Sequence, residues 1–125
     1  MREIKFRAWD SLVEKMYSWT ELLNQNLNNI FTIPEQCGYH LMQYTGLKDK
    51  NGKEIYEGDI VFIKGEEKLL DIKGKVEYSN TFALFIIINT GSIVNETELL
   101  GDYEEEEKKQ IGNVYDNPEL LEEGE

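Results

Sequence analysis

A lone cysteine and a lone histidine, three positions apart, are the residue types in this chain best suited to nucleophilic chemistry. Cys37 and His40 could act together only if their side chains came within hydrogen-bond reach, with a third group to orient them. A structural zinc site normally takes four Cys or His ligands, and this chain offers two. We interpret the pair as the entry to an ordinary strand. The sequence predicts no catalytic residue, no metal ligand and no cofactor.

A polar segment at residues 49–54, DKNGKE, places oxygen-bearing side chains around a glycine, as calcium loops do. An EF-hand loop needs a glutamate six positions after its glycine, and this chain has another glycine there. Asn51 and Gly52 both tolerate positive φ angles, so a type I′ hairpin turn explains the same residues without an ion. A second turn follows at Glu57–Asp59, in which we expect Asp59 to cap its own backbone.

Three lysines form the basic part of this predicted hairpin: Lys48, Lys50 and Lys53. Tyr44 and Tyr56 flank them, which gives the group the basic and aromatic character that can bind phosphates and bases. Acidic residues interleave with the lysines and nearly cancel their charge, a pattern typical of a solvated turn. All five are candidate interaction residues, and both interpretations stay open.

Two tryptophans, Trp9 and Trp19, complete the set of candidate interaction residues. Residues 2–10 alternate apolar and charged side chains with the two-residue period of a half-buried strand. The polar interval after them predicts a turn, so that Met16–Trp19 pairs back as an N-terminal β-hairpin. The hairpin would bring the two indoles near each other, either packed in a core or lining a groove.

Acidic residues dominate the charge of the chain, which is −12 over 125 residues. Residues 1–62 hold seven Lys or Arg against nine Asp or Glu, whereas residues 63–125 hold six against sixteen. This field disfavours direct nucleic-acid binding, because affinity for nucleic acid depends on cations that displace phosphate counterions. The run Glu104–Glu107 favours a solvated surface, and DNA mimicry by dense carboxylates is the alternative.

The elements that position these residues are mainly short strands separated by glycine-containing turns. Residues Thr20–Asn29 are predicted to form a short helix or a loop, with Thr20 as a candidate N-cap. Asn117 and Pro118 predict a last helical turn, with Asn117 as N-cap. The strand predictions are Ile30–Ile33, Tyr39–Tyr44, Ile55–Tyr56, Ile60–Ile63, Gly74–Asn80, Phe82–Ile88 as a central strand, and Ile111–Tyr115; Ser92–Leu100 is extended or helical, and Asp102–Gln110 is a solvated segment with a helical turn.

Four segments together closely resemble the YopX-like family of phage and prophage proteins. They are Tyr44–Leu47, Asp49–Gly52, Glu57–Val61 and Ile111–Leu121, and the opening residues 2–10 also resemble the start of that family. The resemblance implies a small SH3-type barrel and an accessory protein in a bacterial cytoplasm. It implies no catalytic residues.

The expected fold is mainly β: a small SH3-like barrel with an N-terminal β-hairpin and short helical segments. Residues 1–36 hold the hairpin and the helix or loop, 37–121 the barrel core, and 122–125 an acidic tail. The longest apolar run is far shorter than the roughly 20 residues of a membrane helix, and one cysteine permits no internal disulfide, so we expect a cytoplasmic protein without membrane contact.

The expected function is a non-enzymatic protein-interaction module that presents loops or an edge strand to a partner protein or to its own copy. Exposed strand edges favour such self-association. The alternative is a nucleic-acid-directed role, either through the Lys48–Lys53 hairpin or by acidic mimicry of DNA.

Overall fold

The computed structural model describes residues 3–24, 38–65, 71–89 and 97–121. The chain divides into two compact units, Met1–Tyr44 and Thr45–Glu125. The predicted boundary between residues 36 and 37 lies beside a range outside the described residues, as do the strand Ile30–Ile33, Cys37 and the tail 122–125. The division into 1–36, 37–121 and 122–125 therefore stays a prediction.

Antiparallel strands make up most of the described residues, which confirms the mainly β fold class. A single α-helix is described, α1 at Trp19–Leu23. The strands are β1 Phe6–Asp10, β2 Lys15–Tyr17, β3 Tyr39–Lys48, β4 Glu54–Tyr56, β5 Asp59–Ile63, β6 Ile72–Ser79, β7 Leu84–Asn89, β8 Thr97–Leu99 and β9 Lys108–Asn113, and short 3-10 turns cover Leu100–Asp102, Glu105–Glu107 and Pro118–Leu121.

The N-terminal hairpin forms as the alternation of residues 2–10 predicts, but its second strand ends at Tyr17. The predicted pairing of Trp19 in this strand is wrong, because Trp19 begins α1. β1 pairs antiparallel with β2, where Trp9 lies opposite Met16. β3 pairs antiparallel with the other side of β1, where Ala8 lies opposite Leu41. The strand order in the first unit is therefore β2-β1-β3.

A small apolar core in the first unit lies between one face of β1 and α1. Ala8 and Leu22 are fully buried there. The side chains packed against them are Phe6, Tyr17, Trp19, Tyr39 and Leu41. Burial of these aromatic rings removes much apolar surface from water, which stabilises this small unit.

The helix α1 begins two residues earlier than an N-cap at Thr20 would place it. The N-cap is Ser18, whose Oγ accepts a hydrogen bond from the Glu21 N–H at 3.2 Å, while Glu21 Oε1 accepts from the Ser18 N–H at 3.1 Å. The prediction of Thr20 as N-cap is wrong, because a Ser followed three residues later by Glu satisfies both N–H groups at once. The Ser18 N–H, and then the Lys15 ammonium, hold the pKa of Glu21 below its ordinary value.

The second unit contains a five-stranded antiparallel sheet in the order β8-β7-β6-β5-β9, together with the end of β3 and its neighbour β4. β7 lies between β6 and β8, which confirms that the run Phe82–Ile88 supplies a central strand. The core consists of Ile55, Val61, Ile63, Val76, Ile87 and Leu100. The prediction that this unit is an SH3-like barrel stays a prediction.

The last strand begins three residues before the predicted Ile111. Lys108 lies opposite Ile63, and Lys109 lies opposite Phe62, so both lysines already belong to β9. Their charge hides the strand in the sequence, since a β pattern is recognised by apolar alternation. The acidic run forms the 3-10 turn Glu105–Glu107 with exposed side chains, which confirms the helical turn within the predicted segment Asp102–Gln110. The prediction that this whole segment is solvated is wrong at its end, because Lys108–Gln110 belong to β9 and Lys108 is buried.

Candidate functional site

The β3–β4 turn at residues 49–53 is a hairpin turn, as predicted, but it is not of type I′. Asp49 N–H donates to the Lys53 carbonyl at 2.8 Å, and Gly52 N–H donates to the Asp49 carbonyl at 2.9 Å. Only Gly52, with φ 79°, takes the left-handed conformation in this turn; Asn51 does not. A type I′ turn needs positive φ at both central residues, so that prediction is wrong.

The Asp49 side chain explains the different turn. Its Oδ1 accepts hydrogen bonds from the Asn51 and Lys53 N–H groups, both at 2.9 Å. Aspartate commonly stabilises turns by binding the backbone two residues further along. This contact holds the Asn51 backbone in an ordinary conformation and leaves the left-handed position to glycine.

The same carboxylate also reaches the outer side of β9. Asp49 Oδ2 accepts from the Gln110 N–H at 2.9 Å, and beside it the Lys50 N–H donates to the Lys108 carbonyl at 2.9 Å. Asp49 is fully buried. Burial by itself raises the pKa of this carboxyl, but the N–H donors of Gln110, Lys53 and Asn51 outweigh it, so the pKa is lower than the ordinary value.

A second fully buried carboxylate, Asp59, joins this network through Gln110. Asp59 Oδ2 accepts from the Tyr56 N–H at 2.8 Å, which confirms that Asp59 caps its own turn. Asp59 Oδ1 accepts from Gln110 Nε2 at 3.3 Å, and Gln110 Oε1 accepts from Lys53 Nζ at 3.3 Å. Gln110 on β9 therefore connects to the β3–β4 turn through Asp49 and to the Glu57–Asp59 turn through Asp59, although these two residues lie 61 and 51 positions away from it in the sequence. We call these two turns the motif turns, because both lie in segments that carry the family resemblance.

The C-terminal segment of the family resemblance, Ile111–Leu121, also uses its polar side chains inside the fold. Asn113 Oδ1 accepts from the N–H groups of Tyr115 and Asp116, at 3.0 and 2.9 Å. Asn117 Oδ1 accepts from the Asn113 N–H at 3.2 Å, so this side chain points back to β9. The predicted last helical turn follows it and is the 3-10 turn Pro118–Leu121. A Cβ on Gly112 would lie 2.5 Å from Asn117 Oδ1, so only glycine fits beside this contact.

A buried lysine is the main feature that the sequence prediction missed. Lys108 is 2% exposed, lies opposite Ile63 on the core side of β5, and donates from Nζ to the Tyr103 carbonyl at 3.0 Å. Burial lowers its pKa, and the nearby carboxylates of Glu104–Glu107 oppose that change. No sequence pattern indicated this burial, because Lys108 stands beside a second lysine at the end of an acidic run.

The three candidate lysines lie together, whereas the two candidate tyrosines do not share their surface. Lys48, Lys50 and Lys53 are exposed. Tyr44 and Tyr56 are 4% and 8% exposed. Tyr44 lies under the Lys5 ammonium, 5.0 Å from its ring centroid, and the Tyr56 hydroxyl donates to Glu54 Oε1 at 3.4 Å. The turn thus presents charge without an exposed aromatic ring from this pair.

The two candidate tryptophans lie in different surroundings. Trp19 packs against Phe6 in the core of the first unit, with ring centroids 6.1 Å apart. Trp9 is 9% exposed and alternates with Ala8 along β1, so it lies on the opposite face of the strand. His40 is exposed and lies opposite Trp9 on β3.

A surface that the sequence prediction did not include lies at the β6–β7 turn. Three large apolar side chains there are exposed: Phe82 at 62%, Leu84 at 46% and Tyr78 at 42%. The Tyr78 ring contacts Phe85 edge-on, with centroids 5.2 Å apart. The sequence signal was present in the run Phe82–Ile88, but it indicated only a buried strand. Tyr78 pairs with Phe85 and Leu84 pairs with Ser79, so Tyr78 and Leu84 lie on opposite faces of the hairpin. We call the exposed end formed by Phe82 and Leu84, with Tyr78 on the other face, the apolar tip.

These features define a small, mainly β protein whose motif carboxylates hold turns against strands. The chain belongs to the YopX family: the family model described as "YopX protein" matches residues 5–122. Two solved structures are similar over almost their whole length, protein EF1440 from Enterococcus faecalis and protein yopX from Bacillus subtilis. Each is 25% identical to this chain, has a TM-score of 0.63, and aligns over 98% of this chain and 100% of its own.

No curated protein sequence matches this chain. Within the described ranges, no helix combines the length and the apolar character that crossing a bilayer requires.

Proposed function

We propose that this chain is a non-enzymatic protein-interaction module that binds a partner protein or a second copy of itself. In this proposal it is a phage or prophage accessory protein that acts in the bacterial cytoplasm. The family resemblance supports the phage setting. The apolar tip is the single observation that carries the interaction role.

The apolar tip is suited to binding because it is exposed and ordered at the same time. Phe82 N–H donates to Ser79 Oγ at 3.2 Å, and Ala83 N–H donates to the Ser79 carbonyl at 2.8 Å. A turn held in this way loses little conformational freedom when a partner covers it. Aromatic side chains such as Phe82 and Tyr78 are enriched in interaction sites, which distinguishes this tip from the exposed aliphatic pair Leu12 and Val13.

The buried carboxylates support a structural role for the motifs. Every carboxylate oxygen of Asp49 and Asp59 accepts at least one N–H hydrogen bond from within the second unit. A general acid or base must instead reach the proton it transfers on a bound substrate. We therefore assign Asp49 and Asp59 a role in stabilising the fold, and we assign the interaction to the apolar tip.

The test is capture of bacterial lysate proteins on the purified chain at low and high salt. The variant carries Phe82→Asp and Leu84→Asp, and the matched control carries Leu12→Asp and Val13→Asp at the β1–β2 turn, where the side chains are 80% and 62% exposed. We expect one stoichiometric protein that the wild type and the control retain at high salt and the variant loses. Equal capture by all three proteins would refute the assignment to the apolar tip.

The alternative function is directed at nucleic acid, and the exposure of Lys48, Lys50 and Lys53 on one turn favours it. Changing all three to Glu should then abolish binding to labelled single-stranded DNA, because the phosphate contacts supply most of the affinity. A control with the same change in net charge replaces three exposed lysines elsewhere with Glu: Lys15, Lys64 and Lys109. Equal affinity of both variants would exclude a role for this turn.

Acidic mimicry of DNA is the other form of this alternative, and it rests on the four exposed carboxylates of Glu104–Glu107. It requires a basic captured protein that is lost at high salt, since screening weakens exposed charge pairs. Replacing these four residues with Gln should abolish that capture, while the Phe82 and Leu84 variant should keep it.

A further inference from the structure

The outer edge of β9 is occupied by a turn and not by another strand. β9 pairs with β5 along one side and is the last strand in the sheet order. On the other side, the Lys50 N–H binds the Lys108 carbonyl and Asp49 Oδ2 binds the Gln110 N–H, each at 2.9 Å. Positions 108 and 110 are two residues apart, as expected for backbone groups on the same edge of a strand.

The turn therefore imitates the hydrogen bonds of a neighbouring strand. A real neighbour would offer a backbone N–H to one residue and a backbone carbonyl to the next one along the edge. Here the Lys50 N–H supplies the donor, and a side-chain carboxylate supplies the acceptor. An edge strand with unpaired N–H and carbonyl groups is a template for pairing with another chain.

We infer that residues 49–50 form a plug that prevents β9 from pairing with the β9 strand of a second copy. The second copy is the occupant that fits, because removal of the plug opens the identical edge in every molecule and an antiparallel pair of identical strands is self-complementary. This inference goes beyond the proposed function, since it depends on the β9 edge and on no residue of the apolar tip.

Two features of the turn make the plug specific. Asp49 is fully buried, and its other oxygen binds the Asn51 and Lys53 N–H groups, so the carboxylate is fixed in place. Only Gly52 needs a left-handed backbone here, so Lys50 takes the second position of an ordinary turn. Proline is favoured at that position and has no N–H.

Lys50→Pro therefore removes the donor to the Lys108 carbonyl and keeps the turn. Lys50→Ala is the matched control, since it removes the same side chain and keeps the N–H. The full chain is measured by light scattering after size exclusion over a range of concentrations, with circular dichroism to confirm folding. We expect Lys50→Pro to dimerise roughly fivefold or more tightly than Lys50→Ala, the effect of about one lost hydrogen bond.

Hydrogen exchange at the Gln110 amide locates the effect. In monomeric Lys50→Pro we expect this amide to exchange roughly fivefold faster than in Lys50→Ala, and in the dimer we expect it to become protected again. Folded Lys50→Pro that matches Lys50→Ala in mass and in exchange at every concentration would overturn the inference.

If Lys50→Pro does not fold, Asp49→Asn gives the second test. The amide keeps the size of the side chain but has one oxygen, so it cannot accept from both Gln110 and the turn N–H groups. A dimer with a protected Gln110 amide supports the plug, and a folded monomer with unchanged Gln110 exchange contradicts it. Lys50→Pro with Phe82→Asp should dimerise as Lys50→Pro does, which separates this result from the fate of the proposed function.

Discussion

The β3–β4 and β6–β7 turns of the second unit use their side chains in opposite ways. In the β3–β4 turn Asp49 is fully buried, and its carboxylate binds three backbone N–H groups. In the β6–β7 turn the side chains of Phe82 and Leu84 are exposed. The β3–β4 turn, which lies in a segment of the family resemblance, therefore stabilises the fold. The β6–β7 turn, which does not, exposes apolar side chains to solvent.

The two turns also differ in the residue that takes the left-handed backbone conformation. The left-handed position of the β3–β4 turn is Gly52, with φ 79°, whereas that of the β6–β7 turn is Ala83, with φ 55°. A Cβ in this conformation costs roughly 1–2 kcal/mol, which glycine avoids. The first turn is thus adapted to its conformation, and the second keeps a small strain beside its exposed apolar residues.

The largest effect should come from Asp49→Ala. Three buried or partly buried N–H groups lose their acceptor, and we expect the free energy of unfolding to fall by about 3 kcal/mol. Asn51→Ala is the control, because Asn51 is exposed and donates to Asp49 through its backbone only. Urea denaturation of both variants checks this. Equal urea midpoints for the two variants would show that the buried Asp49 carboxylate does not stabilise the β3–β4 turn, and the contrast with the β6–β7 turn would be lost.

In the wild type, the contribution of the Asp49 carboxylate to stability should depend on pH in the acid range. The folded-state pKa of Asp49 lies below the ordinary value of 3.8, so its contribution to stability is complete above that value and is lost as the pH falls through the folded pKa. Asp49→Asn has no proton to gain there. The stability difference between wild type and Asp49→Asn, followed by urea denaturation into the acid range, should therefore narrow; a constant difference would contradict the assigned pKa direction.

Lys108→Met tests the cation that lies buried beside the exposed acidic turn. Burial lowers the folded-state pKa of Lys108 below its ordinary 10.5, so the unfolded chain binds this proton more tightly and wild-type stability rises as the pH rises between the two values. The methionine variant should lack that rise, because it has no titratable group at position 108. Lys109→Met, at an exposed position on the same strand, should retain it; a rise retained in Lys108→Met would assign it to another group.

The smallest effect should come from Ala83→Gly. Relief of the left-handed conformation should stabilise the chain by about 0.5–1 kcal/mol, after the greater flexibility of glycine in the unfolded state is offset. Thr81→Gly in the same turn should not stabilise, because Thr81 has no positive φ. Thermal unfolding of both variants checks this. Partner capture should be unchanged in Ala83→Gly, since Phe82 and Leu84 remain.

Local patterns predicted many of the elements because their causes are local. The alternation along residues 2–10 reports a strand with one apolar face, and the glycine and asparagine positions report turns. Ser18 was missed as N-cap although its partner Glu21 stands three residues later, so the signal was present and was assigned to Thr20. The start of β9 had no such signal, because Lys108 and Lys109 look like the end of a solvated run.

The candidate site was harder to predict than the elements. Lys48, Lys50 and Lys53 lie close in sequence, and the structure keeps them together. Tyr44 and Tyr56 also lie close to them in sequence, yet both are buried. Whether a side chain on a strand faces the core depends on which strands cover it, and that depends on pairings between distant segments.

The sequence by itself determined the family, the mainly β class, the N-terminal hairpin and the positions of the two motif turns, since these follow from residue types within a few positions of one another. Only the tertiary structure decided that Gln110 joins Asp49 to Asp59, that Lys108 is buried, and that Phe82 and Leu84 are exposed. The physical reason is that hydrogen bonding and burial are settled between strands, by groups that the sequence places many residues apart.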